Sequence, residues 1–243
     1  MLSESVKKNS KGWFGANIMS YISEPLIEQR AENTPVKSRF LYETVKRTLD
    51  IAFAVAALVF LFPVLVGIIV ALAMHDGFPV IYKQRRIGLN GKEFTCYKFR
   101  SMAKDADARL AALLSQSPEI LREWTESQKL KTDPRIHRLG RFLRISSLDE
   151  LPQFINVIRG EMSIVGPRPI VMNEICRYGD SYRYYKAMKP GITGLWQVSG
   201  RSSTGYEARV QLDTDYFKTR SIWVDLGIMI RTAWVVFLAK GSC

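Results

Sequence analysis

The sequence predicts an α+β fold in which helix dominates, and three observations carry that prediction. Residues 51–74 hold no charged side chain and are interrupted by Pro63. Two short runs rich in β-formers, 79–87 and 93–99, flank Asn90-Gly91, a strong hairpin turn signal. Most of the remaining chain spaces its apolar and charged residues at a helical period. The expected architecture is a re-entrant helix-break-helix membrane segment, a small β-hairpin and amphipathic interfacial helices. It divides into a flexible N-terminal arm (1–38), the re-entrant helix (39–75) and a cytosolic domain resting on the membrane surface (76–243).

Bulk properties narrow the function class. The 243 residues suit one domain with an appendage, and 47% hydrophobic against 24% charged residues is enough for a core. The net charge of +12 calls for an anionic partner: nucleic acid, an anionic membrane face or phosphorylated substrates. Cys96, Cys176 and Cys243 are odd in number and form no CxxC pair, which supports neither a disulfide framework nor a zinc site and suits reduced thiols facing the cytosol. His75 and His137 are the two histidines, too few for a histidine metal cluster. RNA-binding aromatic motifs are absent, so nucleic acid is not expected as a partner.

In chain order, the arm is polar, with Lys7, Lys8 and Lys11 before Trp13 and Phe14 and no apolar signal-peptide core. The uncharged run that follows is long enough to span a bilayer. Pro63 removes a helical hydrogen bond in its middle, and basic residues lie on both flanks: Lys37, Arg39, Lys46 and Arg47 before, Lys83, Arg85, Arg86 and Lys92 after. Because basic flanks prefer the cytoplasmic side, a segment that enters and returns is expected over a simple spanning helix. The hairpin strands add Lys98 and Arg100. Two helices broken near Ser117-Pro118 follow, with Asp105 and Asp107 as helix-start charges. Over 134–145, Arg135, Arg138, Arg141 and Arg144 alternate with Ile136, Leu139, Phe142 and Leu143, which describes a basic amphipathic helix. Short helices are expected near 171–178 and 181–188, then a glycine-punctuated loop (190–201) in which Gln197 and Arg201 suit a sugar or phosphate. A mixed helix (206–219) and an interfacial or core helix (222–239) complete the chain; Asp225 and Arg231 argue against the latter spanning a membrane.

The richest stretch is 145–169. Ser147-x-x-Glu150 has the pattern of a capping box, which by itself accounts for Asp149 and Glu150 as first-turn acids. The same placement serves chemistry. An ionised aspartate near Arg144 is a competent nucleophile toward phosphorus, and a neighbouring glutamate can hold Mg²⁺. Phosphoryl transfer needs positioning and charge neutralisation, which arginines supply; Arg168 stands between Pro167 and Pro169 in a stiff turn.

Five motifs occur in order: Lys46-Arg47-x-x-Asp50 before a Pro-broken apolar segment, Tyr97-Lys-Phe-Arg-Ser-Met102, Ser147-Leu-Asp-Glu-Leu-Pro152, Val165-Gly-Pro-Arg-Pro169 and Pro190-Gly-Ile-Thr-Gly194. Together they resemble the bacterial sugar transferase family, the monotopic polyprenyl-phosphate phosphoglycosyl transferases, over roughly 39–240, and most of all the members that prime exopolysaccharide synthesis. The resemblance implies a catalytic domain over 76–243 on the cytoplasmic face of the bacterial inner membrane. It implies Mg²⁺-dependent transfer of a hexose-1-phosphate from a UDP-sugar to undecaprenyl phosphate, with release of UMP. Asp149 would be the nucleophile and carry the covalent intermediate, Glu150 a metal-binding partner, and Lys98, Arg144 and Arg168 phosphate neutralisers, with Gln197 and Arg201 as further substrate contacts. Galactose or glucose is preferred over N-acetylated hexoses by analogy alone. Relatives often carry Ser-Pro at the membrane break, where this chain has Phe62-Pro63. Direct one-step attack with Asp149 as base, and a membrane-anchored basic binding protein, are the alternatives.

Overall fold

The computed structural model describes residues 36–127, 130, 133–200 and 205–237. The expected flexible arm therefore lies outside the described residues except for 36–38, which are already helical. Helix α1 (Val36–Phe60) meets α2 (Phe62–Asp76) at Leu61 with a bend of 62°. Pro63 sits in the first turn of α2, where a helix needs no amide from it. The ladder continues through the bend, with Leu61 N donating to Ala57 O (2.8 Å) and Leu65 N to Leu61 O (2.9 Å), so the break holds without a serine at position 62. Among the described residues no single helix is long and apolar enough to cross a membrane; only this bent pair passes together.

The motif at the entry to the apolar run fastens α1 to the rest of the molecule. Arg47 donates to the carbonyls of Val157 (2.6 Å) and Ile158 (2.9 Å). Asp50, buried, accepts from Ser163 Oγ (2.7 Å) and from the amide of Ile164 (3.0 Å). Lys46 pairs with Asp225 at 2.7 Å. Three polar side chains on one helix face thus hold three separate pieces of backbone and side chain before the charge-free run begins.

Strands β1 (Ile81–Ile87) and β2 (Glu93–Phe99) form the expected antiparallel hairpin. A short 3-10 turn at Leu89–Gly91 joins them, with Asn90 at φ 58°, a left-handed position that asparagine tolerates better than most residues. Opposite residues share a face, so the register Tyr82↔Lys98, Gln84↔Cys96 and Arg86↔Phe94 puts Arg86 and Lys98 on one side. Lys83 and Arg85 go to the other side, exposed to solvent. Arg100 turns back and donates to the carbonyls of Asp76, Gly77 and Pro79, closing the end of α2.

Helices α3 (Ala106–Gln116) and α4 (Pro118–Ser127) break at Ser117, as expected. The basic helix α5 (Arg138–Ile145) is shorter than its periodicity suggested. Arg135 does not belong to its cationic face; it is buried in the preceding turn against Asp133 at 2.6 Å. A Cβ on Gly140 would stand 2.0 Å from Ser101 O, so α5 crosses the exit of β2 at backbone contact. Leu143 of α5 and Leu72 of α2 are both fully buried in one cluster with Phe99, worth about 2 kcal/mol each by burial. The second helix of the bent pair is thereby packed on the hairpin and the basic helix.

The remainder is α6 (Gln153–Arg159), β3 (Ser163–Val165), α7 (Ile175–Tyr178), α8 (Tyr182–Lys186), β4 (Gly191–Thr193), α9 (Leu195–Val198), α10 (Tyr206–Thr219) and α11 (Ile222–Phe237). β3 and β4 pair in parallel, Ser163 with Gly191 and Val165 with Thr193. The glycine-punctuated loop is therefore in part a strand, an outcome too short for alternation to reveal. The largest core cluster joins Ala54 of α1, Phe154 and Val157 of α6, Ile164 and Val165 of β3, Tyr216 of α10 and Ile228 of α11.

Large apolar side chains remain exposed on several helices, among them Val59 and Phe60 on α1, Phe62 and Met74 on α2, Phe142 and Ile145 on α5, and Trp223, Ile230 and Trp234 on α11. Apolar exposure on this scale marks a surface that contacts something other than water. α5 and α11 each bury one face and expose apolar residues on the other.

Candidate active site

The two acids of the central stretch stand in a chain reversal between α5 and α6, not at a capped helix start. Ser147 has φ 58°, in the left-handed region, and its side chain caps nothing. A 3-10 turn follows at Leu148–Glu150, and Pro152 leads into α6. The capping box is replaced because Glu150 does not reach back to Ser147; its Oε1 takes Lys98 Nζ at 2.6 Å. Lys98 comes from β2, so the hairpin and the reversal are joined by an ion pair.

Asp149 is buried, with 9% of its surface exposed. Burial pushes its carboxyl up to about 6, the adjacent Glu150 charge pushes the same way, and Lys98 and Arg144 only partly offset them. The helix-start position and Arg144 favour the ionised form, and desolvation is the larger influence on it. The group remains mostly ionised at pH 7 and close to its titration. Arg144, from the last turn of α5, donates to Ser101 Oγ at 2.8 Å and feels the Asp149 charge. Its own burial lowers its affinity for a proton, and Asp149 and Asp133 restore part of it.

Lys98, Glu150, Arg168 and Gln197 line one cleft together with Arg86, Cys96 and Gln153. The cleft is nearly closed, about 10 Å³, and the Lys98–Glu150 pair lies across it. Four of the sequence-predicted residues are brought together. Arg144 stands apart on the Asp149 side, and Arg201 lies outside the described residues. Burial lowers the pKa of Arg86, and the like charge of Arg168 lowers it further, so the cleft concentrates positive charge.

The Gly166–Pro169 turn is held by more than its prolines. Arg86 donates to the Pro169 carbonyl (2.9 Å) and Arg209 to the Arg168 carbonyl (3.1 Å). The Arg168 and Arg209 guanidinium groups stack on the Trp196 ring at 5.9 and 5.2 Å from its centre. Gly166 N donates to Thr193 O and Gly191 N to Pro167 O, both at 2.9 Å. A Cβ on Gly191 would fall 2.1 Å from Gly166 N, and one on Gly194 2.1 Å from Gly166 O. These glycines admit backbone to backbone.

Sequence reasoning missed Arg86, Gln153, Trp196 and Arg209. Arg86 was accessible: alternation along the hairpin separates it and Lys98 from Lys83 and Arg85. The other three come from elements whose approach only packing decides. For a metal, Asp149 and Glu150 offer two adjacent carboxylates, and no group of three or more His, Cys, Asp or Glu gathers among the described residues. That donor set fits Mg²⁺, which takes one or two carboxylates together with phosphate oxygens and water, and not a closed four-ligand zinc site.

A family model described as "Bacterial sugar transferase" matches residues 41–239. An undecaprenyl-phosphate galactose phosphotransferase of Salmonella typhimurium is 45% identical over 227 residues, covering 92% of this chain and 47% of that protein. A UDP-galactose-lipid carrier transferase of Erwinia amylovora is 44% identical over 231 residues, 94% of this chain and 47% of its own length. The exopolysaccharide production protein ExoY of Sinorhizobium fredii is 43% identical over 197 residues, 81% of this chain and 87% of that protein. The chain spans about half the length of the first two (47% of each) and most of the third.

Proposed function

Because the chain belongs to the bacterial sugar transferase family, we propose that it moves a hexose-1-phosphate from a UDP-sugar to undecaprenyl phosphate and so begins a cell-surface glycan such as an exopolysaccharide. The reading places it on the cytoplasmic face of the inner membrane, with the bent helix pair dipping into one leaflet. Galactose is the first sugar to test, in keeping with the names of the Salmonella and Erwinia relatives, and glucose the second. The observation that carries the reading is a buried carboxylate, Asp149, pushed up to about 6 beside a cationic cleft, in a molecule with extensive exposed apolar helix surface.

An Asp149 carboxylate oxygen attacks the phosphorus that bears the sugar. The bond from that phosphorus to the UMP oxygen breaks, and UMP leaves. An oxygen of undecaprenyl phosphate then attacks the same phosphorus, the bond to Asp149 breaks, and the lipid diphosphate sugar departs with the carboxylate restored. Lys98 and Arg168 face the transferring phosphates, Gln197 and Arg86 line the same cleft, and Arg144 balances Asp149 between the two steps. Mg²⁺ held by Asp149 and Glu150 would neutralise phosphate oxygens. Entry of the diphosphate requires the Lys98–Glu150 pair to part, since the cleft is otherwise nearly filled. A pKa of about 6 also suits a general base, which supports the one-step alternative.

Incubating the full chain with UDP-galactose and Mg²⁺ without lipid, then measuring intact mass, separates the two. A hexose-phosphate adduct absent from Asp149→Asn is expected; UMP release that requires lipid, with no adduct, would establish direct attack. For topology, cysteines introduced singly at Thr44 and Lys83, in a Cys176→Ser, Cys243→Ser background that keeps only the buried Cys96, are expected to react only with reagent on the cytoplasmic side; opposite-side labelling of the pair would restore a spanning helix.

A further inference from the structure

A second cavity, of about 280 Å³, lies between α1, α10 and the residues that lead into β4, and the catalytic reading makes no use of it. Its wall includes Lys46, Arg47, Lys189 and Arg220. Lys46 is matched by Asp225 at 2.7 Å and Arg220 by Glu43 at 3.3 Å. Asp50, the other acid of the wall, is taken up by Ser163 and the Ile164 amide. Arg47 and Lys189 remain: Arg47 Nη1 and Nη2 donate to the Val157 and Ile158 carbonyls, and among the described residues neither cation has a carboxylate within ion-pair distance. They converge on one place, since a Cβ built on Gly160 would lie 3.4 Å from Arg47 Nη2 and 3.8 Å from Lys189 Nζ. Burial and the Arg47 charge both weaken the hold of Lys189 on its proton, while Asp50 and Glu43 act in the opposite sense. Two cations brought together beside an open cavity, with the nearby acids already engaged, describe a receptor for a small anion.

The position of the cavity selects the anion. Arg47 precedes the first residue of the apolar run by four positions, about 6 Å at the rise of an α-helix. That matches the headgroup layer of a bilayer, about 5–8 Å on each side of the hydrocarbon. Exposed Trp223 and Trp234 on α11, whose Asp225 pairs with Lys46, suit the same interfacial depth.

We propose that this cavity binds the phosphate of an anionic phospholipid headgroup, between Arg47 and Lys189, as a site separate from the catalytic cleft. The proposal rests on the membrane placement given above. A bound headgroup would relieve the repulsion between the two cations and fix the height at which α1 sits in the bilayer.

The test uses the full chain in nanodiscs of phosphatidylcholine with one-fifth phosphatidylglycerol, released for native mass spectrometry. The protein is expected to retain one phosphatidylglycerol, Lys189→Ala to lose most of it, at least fivefold, and Lys189→Arg to keep it. Flotation of both proteins on pure phosphatidylcholine vesicles is expected to be equal, since the apolar helices are unchanged. Flotation with equal lipid retention in wild type and Lys189→Ala would overturn the site alone; failure to float would overturn the anchor and the site with it. In a second arm, inorganic phosphate at 10 mM is titrated against the nanodisc protein: no displacement of the lipid is expected. A Lys189-dependent rise in melting temperature with inorganic phosphate, without retention of phosphatidylglycerol, would assign the pocket to a soluble phosphate and overturn the lipid.

Discussion

Two buried acid–base clusters flank the Gly166–Pro169 turn, and each contains an aspartate pushed up to about 6 by burial. Asp213, in the first, accepts from Tyr178 Oη at 2.7 Å and stands 3.9 Å from Arg209. Arg209 in turn holds Glu174 at 3.2 Å and the Arg168 carbonyl. Asp149, in the second, has a like charge, Glu150, as its neighbour, and among the described residues no side chain hydrogen-bonds it. The same shifted pKa therefore arises in a network of side-chain hydrogen bonds and beside a like charge. A perturbed carboxylate alone does not mark a site; one set beside a second carboxylate and next to a cationic cleft does. The first cluster makes the scaffold rigid, and the second keeps a reactive group costly and available.

Replacing the acid beside the like charge tests this most severely. Asp149→Asn is expected to reduce UMP release by at least about a thousandfold, the loss typical of a removed nucleophile or key charge. The same change should stabilise the folded protein at pH 7. The folded pKa of about 6 lies above the ordinary value of 3.8, so the aspartate is a burden that is absent below about pH 4, grows between 4 and 6, and is complete above 6. Two pKa units correspond to about 3 kcal/mol as an upper figure. Denaturant unfolding of both proteins at pH 7 and at pH 4 reads it: a gain at 7 that vanishes at 4 is expected, and equal stability at both would show that Asp149 is not desolvated.

In the Asp213 cluster the sign reverses. Arg209→Met leaves Asp213 without its cation, leaves Glu174 with Arg86 at 3.8 Å, and frees the Arg168 carbonyl. A loss of about 3–5 kcal/mol in unfolding free energy is expected, the usual consequence of breaking a buried pair from one side. If Arg209→Met proved neutral, the two clusters would not differ as described.

A smaller effect is expected where the turn meets β4. Gly191→Ala places a methyl group 2.1 Å from Gly166 N and 2.4 Å from Thr193 O, so the backbone must shift. About 1–3 kcal/mol of stability should be lost, with kcat falling more than KM rises because Arg168 moves from its place over the cleft. Steady-state kinetics on UDP-galactose would show it.

The finest distinction is in the pH profile. With Asp149 needed as the anion, kcat/KM should have an acid limb near pH 6, falling tenfold per unit below it. Burial is the main cause of the shift and Glu150 the second, so Glu150→Gln should move the limb down, though not to 3.8. Lys98→Met should move it up, since Lys98 favours the anion. A limb that ignores both substitutions would separate the rate from Asp149.

The sequence reading located Asp149 and Glu150, the kink at Pro63, the hairpin and the break at Ser117, because each depends on neighbours in the chain. It assigned the cations less well. Arg135 was counted with the basic helix and is buried against Asp133; Arg100 closes α2; Arg86, taken only as part of a basic hairpin, faces the cleft. A charge's partner is set by what crosses over it, and one-dimensional spacing does not contain that. The glycine-punctuated loop illustrates the same limit: Gln197 lines the cleft, while the glycines seat the Gly166–Pro169 turn, which their spacing did not reveal.

By itself the sequence determined the local events in this protein: where the apolar run breaks, where the hairpin turns, and that two acids stand side by side. The tertiary structure decided their energetics. Ser147 adopts a left-handed reversal in place of a helix cap, so Glu150 is drawn to Lys98, a residue of a distant strand, and Asp149 is buried, where desolvation outweighs the groups that favour its anion. Desolvation depends on which surfaces close over a group, and that is settled only when helices α5 and α6 and the hairpin come together.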